Sequence, residues 1–341
     1  MPATIKDIAK EAGVSSATVS KVLHDSSSSV RVSPKTAGVV REIAERLGYV
    51  PNANARTLKS TRTRTIGLYF DDLAGIASGP LYTTYLIDGI CKVVFKRHYR
   101  LALVAELDDL DATRSLSDGR LDGAIWCRVV RDQRTLEAMA DAPIPIVAMS
   151  SVPAGPRVFT VSCDNVGGID GAVDHLVSLG HRRIMFLSES WEALASDRID
   201  RQEAFFRAMA SRDLKAEPAD AKLWSWDLTE FRDWWATRPP HTAVVCWSER
   251  CAGELLKRCH EVGVSVPHDL SVIGFDSTRF CETTSPPLTA VRQPIIQMGE
   301  LAAQLLLSSI ESGMSDQKDF VLPCPLDLRM TTAGPRPLKN P

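Results

Sequence analysis

Between Thr4 and Leu23 the chain reads TIKDIAKEAGVSSATVSKVL, and this stretch limits the possible folds more than any other. Ile5, Ile8, Ala9 and Ala12 recur at i, i+3, i+4 and i+7, which puts one apolar face on a short helix. Gly13 follows and supplies the backbone freedom of a tight interhelical turn. Ser15 is placed to cap a second helix that turns Val19, Val22 and Leu23 inward. Ser16, Ala17, Ser20 and Lys21 are then expected to face outward. Two short helices joined by a glycine-containing turn form a helix-turn-helix pattern. Small or hydrogen-bonding residues on the outer face of its second helix suit entry into a DNA major groove. An ordinary helical hairpin would share the apolar periodicity, so the flanking sequence has to decide.

Three features of that flank favour DNA. Ser33 reads as an N-cap with Pro34 at the first helical position. Val39, Val40, Ile43, Ala44 and Leu47 then make the stripe of a third helix that Gly48 ends. The chain's formal charge is −2, but residues 1–64 carry a balance of +6 and the remainder −8. A basic head on an acidic body points to a polyanion partner for the head alone. From Pro51 to Thr65 the chain is polar and has almost nothing to bury. It reads as an interdomain linker, or as a hinge in which Asn52–Lys59 becomes helical only on DNA beside a partner copy.

From Ile66 onward short apolar strands alternate with amphipathic helices. The pattern predicts strands at Ile66–Phe70, Leu101–Ala105, Gly123–Trp126, Pro145–Met149, Thr160–Cys163, Ile184–Ser188, Ala243–Trp247 and Ser271–Phe275. It predicts helices at Leu81–Lys96, Val166–Leu179, Arg198–Ser211, Glu249–Val262 and Pro294–Ser312. Continuous apolar strands alternating with helices imply parallel sheets covered on both faces. Roughly 270 residues of this are too many for one sheet, so two doubly wound α/β lobes with a cleft between them are expected. Ligands of such sheets bind beyond the carboxyl ends of the strands.

With both halves in view, the chain resembles the LacI/GalR family of bacterial transcriptional regulators over nearly its whole length. The head motifs TIKDIAKEAGVSSATVSKVL, VSPKT and LGYVPNANARTLKS carry the likeness, as do HLVSLGHRRIMFL, VSVPHDLSVIGFDS and PPLTAVRQP in the body. The resemblance implies an all-α head at 1–50, a hinge helix and linker at 51–65, a two-lobed core like that of periplasmic binding proteins at 66–332, and a short tail at 333–341. It puts Ser16, Ala17 and Lys21 where the family reads bases, and Leu58 where it wedges a leucine into the minor groove. Thr4, Ser15, Thr18 and Ser20 of the head and Asn52, Ala55 and Arg56 of the hinge complete the expected DNA-facing set. Chemistry agrees in part: Lys21 can donate to guanine or phosphate, whereas Ala17 offers only contact with a thymine methyl. In the core the family's effector positions fall on Leu81, Tyr82, Arg201, Trp226, Ser248 and Asp276. An arginine and a carboxylate facing one polar ligand would orient it by charge-assisted hydrogen bonds. Ser248-Glu249 replaces the family's usual Asn-Asp, and Ser277 replaces an acidic residue, so the ligand is not to be copied from a familiar member.

The expected function is sequence-specific transcriptional regulation, with repression as the expected sense. A homodimer on a near-palindromic operator would be controlled by a small polar effector such as a sugar or related metabolite. No cofactor is expected. An enzyme is disfavoured because no GxGxxG follows a strand and neither a P-loop nor a GxSxG elbow is present. A solute-binding protein with the same core would lack the basic head. Charged residues interrupt the N-terminus before any secretory apolar region, and no apolar run reaches membrane-spanning length, so a cytoplasmic protein is expected. The eight cysteines form no CxxC pair and read as reduced, mostly buried thiols rather than metal ligands.

Overall fold

The computed structural model describes residues 3–24, 32–50, 62–70, 81–104, 113–127, 133–149, 157–189, 196–313 and 316–336 of the 341. The expected hinge helix Asn52–Lys59 and the Ser-rich loop after His24 lie outside these residues. The chain divides into two units, Met1–Thr63 and Arg64–Pro341.

The first unit holds α1 (Ile5–Ala12), α2 (Ser16–His24) and α3 (Pro34–Arg46). Thr4 caps α1 in a reciprocal box with Asp7, whose hydrogen bonds from Thr4 hold its carboxyl below the usual range. Gly13 ends α1 with φ 65°, the left-handed conformation the interhelical turn requires. Ile8, Ala9, Val19, Val40, Ile43 and Ala44 close a small core, with Ile5, Ala12, Val22, Leu23, Leu47 and Tyr49 packed around it. Val39, expected in the apolar stripe, is instead 41% exposed. Although it is four residues before Ile43, it lies about 90° from the centre of the arc that Val40, Ile43, Ala44 and Leu47 share.

The second unit contains two six-stranded sheets, ordered β11-β5-β4-β3-β1-β2 and β12-β10-β9-β8-β6-β7. The N-terminal lobe takes β1 (Thr65–Tyr69), β2 (Arg100–Val104), β3 (Gly123–Trp126), β4 (Ile146–Ala148), β5 (Val158–Cys163) and β11 (Asp319–Leu322). The C-terminal lobe takes β6 (Ile184–Glu189), β7 (Ala221–Trp224), β8 (Ala243–Cys246), β9 (Ser271–Asp276), β10 (Thr289–Arg292) and β12 (Leu326–Asp327). Both sheets have one order, in which the second strand of each lobe lies at the edge beside the first. Every pairing is parallel except β10 with β12, which correct the all-parallel expectation by an antiparallel edge.

Helices cover both faces of each sheet: α4 (Leu81–Val94), α5 (Gln133–Asp141), α6 (Asn165–Ser178), α7 (Ser196–Ala210), α8 (Leu228–Ala236), α9 (Glu249–Glu261), α10 (Phe280–Thr283) and α11 (Ile295–Ser312). Strand residues alternate between faces, as the two-residue strand period demands. On the C-terminal sheet Phe186, Val245, Ile273 and Phe275 face one core cluster, and Leu187, Val244 and Val272 face another. The first cluster runs on into the N-terminal lobe through Ile66, Leu68, Ile125 and Val147. The chain passes between the lobes after β5, after β10 and after β11. α11, following β10, returns to the N-terminal lobe and packs closely on α4.

The C-terminal segment is anchored as well. Thr331 Oγ1 donates to the Val272 carbonyl at 2.6 Å, and His181, with no exposed surface, contacts Thr242, Ser271 and the Ala333 carbonyl. Residues 333–336 are therefore part of the C-terminal lobe's packing.

Candidate DNA interface and effector cleft

In the head, Thr4, Ser15, Ser16 and Ala17 are exposed, and Thr18 and Lys21 are half-buried. The Thr4 hydroxyl lies 2.7 Å from Asp7 Oδ2, and the Ser15 and Thr18 hydroxyls lie 2.9 Å apart. Ser15 also accepts the Thr18 amide, so it caps the second helix as its position requires. Ser16 and Ala17 thus lie at the open N-terminus of α2. Ser20 departs from expectation: it is 4% exposed beside the core residue Val19. A nine-residue helix held between two others buries a wide arc, and Ser20 falls within it. Asn52, Ala55, Arg56 and Leu58 lie outside the described residues.

The second site lies where α6 and α7 begin and where β5, β6, β8 and β9 end. Arg201, on α7, is 3% exposed. Its Nε donates to Asn165 Oδ1 at 2.8 Å and its Nη1 to the Trp247 carbonyl at 2.5 Å. The guanidinium carbon sits 3.6 Å from the centroid of the Phe275 ring, and Nη1 is 3.8 Å from Asp276 Oδ1. Burial alone would lower the Arg201 pKa, but Cys163, Asp276 and Asp197 around it raise it.

Asp276, at the end of β9 with φ 86°, is 7% exposed and accepts from Gln293 Nε2 at 3.0 Å. Burial pushes its carboxyl up to about 7, against the opposing pull of Arg201. Asp197 precedes Arg201 by one helical turn and accepts from Asn165 Nδ2 at 3.1 Å. Burial raises its carboxyl too. Tyr82, at the start of α4 on the other lobe, lies close enough to Asp197, Cys163 and Asp276 for their charges to add to the effect of burial. Its phenol is held well above the usual value. Arg201, Asp276 and Tyr82 are thus brought together across the lobes, and Leu81 begins the same helix, half-buried.

Trp226 and Ser248 are placed differently. Trp226 is 8% exposed and packs 6.0 Å from Trp224 within the C-terminal core, its indole nitrogen donating to Glu189 Oε1 at 3.2 Å. The Ser248 hydroxyl accepts the Cys251 amide at 3.1 Å as the N-cap of α9, and so is committed to the helix. Glu249 beside it turns inward: its carboxylate accepts the Thr278 amide and hydroxyl, and burial raises it. Glu189 takes both the Trp226 and Trp247 indoles and Arg250.

Asn165, Glu189, Asp197 and Gln293 are not among the residues expected from the sequence. Two signals were available: Asp197 is four residues before Arg201 and so shares its helix face, and Asn165 and Glu189 stand at strand ends. The site offers one guanidinium hemmed by buried carboxyls, amides and a phenol. That set makes oriented hydrogen bonds to a polar ligand. No group of acids, cysteines and histidines able to hold a metal occurs among the described residues.

Comparison with known proteins covers both units. Residues 4–52 match the model of bacterial regulatory proteins of the lacI family, and residues 173–332 match a periplasmic binding protein-like domain. The HTH-type transcriptional repressor PurR of Vibrio vulnificus (strain CMCP6) is 31% identical over 346 residues, spanning 96% of this chain and 98% of that protein. The Lac repressor dimer bound to operator and the anti-inducer ONPF superposes with a TM-score of 0.81 at 22% identity, covering 98% of this chain and 100% of that one. The transcriptional regulator CelR–cellobiose complex does so at 0.71 and 24%, covering 96% and 99%. The head, the doubled α/β core and these relatives agree: the chain belongs to the lacI family of bacterial regulatory proteins.

Proposed function

We propose that the chain is a repressor that binds a near-palindromic operator as a homodimer and releases or grips it according to a small polar effector held between the lobes. The observation that carries the effector half is Arg201, buried and fixed on three sides while Tyr82 of the opposite lobe stands in the same charge environment. A ligand lying there touches both lobes and so discriminates between lobe arrangements, which any allosteric effect on DNA requires. The operator-bound and cellobiose-bound relatives support the two halves of this reading. The basic balance of residues 1–64 and the exposed Ser16 and Ala17 support the DNA half. No described helix is long and apolar enough to cross a membrane.

The test has two steps. An operator is first selected from a random duplex pool by the protein itself. Neutral sugars and nucleobases are then screened for thermal stabilisation, and hits are titrated against the operator complex. Arg201→Ala should weaken the hit at least about tenfold and abolish its effect on DNA. Effector-free operator affinity should stay within about threefold of wild type. An effector that binds Arg201→Ala as tightly as wild type would remove this cleft from the mechanism.

A further inference from the structure

Two of the passages between the lobes carry one cysteine each. Cys163 closes β5, and Cys324 lies between β11 and β12. These passages run side by side: Leu322 is in register with Cys163, and the Asp164 amide donates to the Leu322 carbonyl at 2.7 Å. Cys163 and Cys324 are 5% and 9% exposed, and each thiol lies close enough to the other to shift its titration. Cys163 Sγ is also 3.2 Å from Asn165 Oδ1 and 4.0 Å from Arg201 Nη2, which places the pair at the inner wall of the cleft.

We propose that Cys163 and Cys324 form a reversible disulfide when the protein meets a hydroperoxide, a modification site that ties two of the interlobe passages together. The pair is unequal in the way such chemistry needs. The neighbouring Cys163 and the Arg201 charge hold the Cys324 thiol below its usual value, whereas the neighbouring Cys324 and burial push Cys163 up. The thiol held lower is the nucleophile, and its neighbour resolves the product.

The Cys324 thiolate attacks one peroxide oxygen and breaks the O–O bond. It becomes a sulfenic acid, and the departing oxygen takes a proton and leaves as water. Cys163 sulfur then displaces hydroxide from the sulfenic sulfur, and that hydroxide leaves as water with the Cys163 proton. The two thiols together give up two electrons and two protons, and hydrogen peroxide is reduced to two waters.

A bond between these passages would favour the lobe arrangement in which it forms. It would also take the Cys163 sulfur away from Arg201. That consequence rests on the effector reading above, whereas formation of the bond does not.

The full chain, reduced and then treated with a small excess of hydrogen peroxide, is examined by intact mass and by peptide mapping without reductant. The expected result is a loss of about two mass units and a linked peptide pair containing Cys163 and Cys324, both reversed by dithiothreitol. Neither should occur in Cys163→Ser or Cys324→Ser. If a serine variant fails to fold, the wild-type peptide map decides by itself. Unreacted thiols, added oxygen at either residue without a linked peptide, or a bond confined to the core pair Cys246 and Cys251 would each overturn the assignment.

Discussion

Asp276 is a carboxyl whose burial costs the molecule something that pH can read. Its folded value is near 7, while its unfolded value is close to 3.8. The folded state therefore holds more protons than the unfolded state between those values, so this group's contribution to stability falls as pH rises through 7 and recovers as pH drops. Asp276→Asn removes the titration but keeps a side chain of the same shape. Its stability relative to wild type, read from urea midpoints, should therefore be more favourable at pH 8 than at pH 5.5 by about 2 kcal/mol. Other titrating groups, such as His181, whose burial lowers its pKa, cancel in the comparison because both proteins carry them. A difference that did not change with pH would mean the carboxyl is not held neutral by burial. The same residue explains the placement of Arg201: a buried cation stays bearable because Asp276, Asp197 and the Trp247 carbonyl surround it.

At the level of elements, the packing of α4 on α11 depends on two glycines. A methyl group on Gly89 would overlap the Ile296 carbonyl, and one on Gly299 would lie 2.5 Å from the Leu86 carbonyl. Both obstacles are backbone, so neither can swing aside. Gly89→Ala should therefore destabilise the core by about 1–3 kcal/mol, read as a lower denaturant midpoint at unchanged slope. A neutral result would show that the two helices can separate freely. Element existence was largely legible in the sequence where apolar runs were continuous, as in Gly123–Trp126 and the Ile184–Leu187 part of β6, because strands buried on both faces carry no polar interruption there. What escaped was the edge strands β7, β11 and β12, together with β10, which lies inside its sheet. β7 reads AKLW with Leu223 50% exposed, β12 is two residues long, and neither has a pattern that separates it from loop. The cleft was legible through the family resemblance, which put Tyr82, Arg201 and Asp276 at effector positions. Asn165 and Gln293 serve the site by proximity that sequence spacing does not encode. The resemblance places Trp226 at the effector site; in the structure its indole donates to Glu189 at a strand end and its ring packs on Trp224.

The molecule as a whole separates its charges, with a balance of +6 in residues 1–64 and −8 in the rest. The positive part lies on the unit that carries α1, α2 and α3, so phosphate contacts should come from the head alone, and the acidic core should keep other surfaces away from DNA. If each head neutralises about six phosphates, log K for operator binding falls against log salt with a slope of about −5 per head, or about −10 for a dimer gripping both half-sites. Measured on the selected operator between low and moderate salt, a slope near −10 would support two heads engaged at once. A slope near −5 would mean that one head binds and the second half-site is idle. Lys21→Ala separates anchoring from reading within the same experiment. If Lys21 contacts a base, the variant should lose roughly 1–3 kcal/mol per half-site on the operator and little on random duplex, with the salt slope preserved. If Lys21 contacts phosphate, affinity should drop equally on both duplexes and the slope should become shallower by about one per head. A binding constant indifferent to salt would refute the electrostatic role of the head altogether, since the rest of the chain carries a balance of −8.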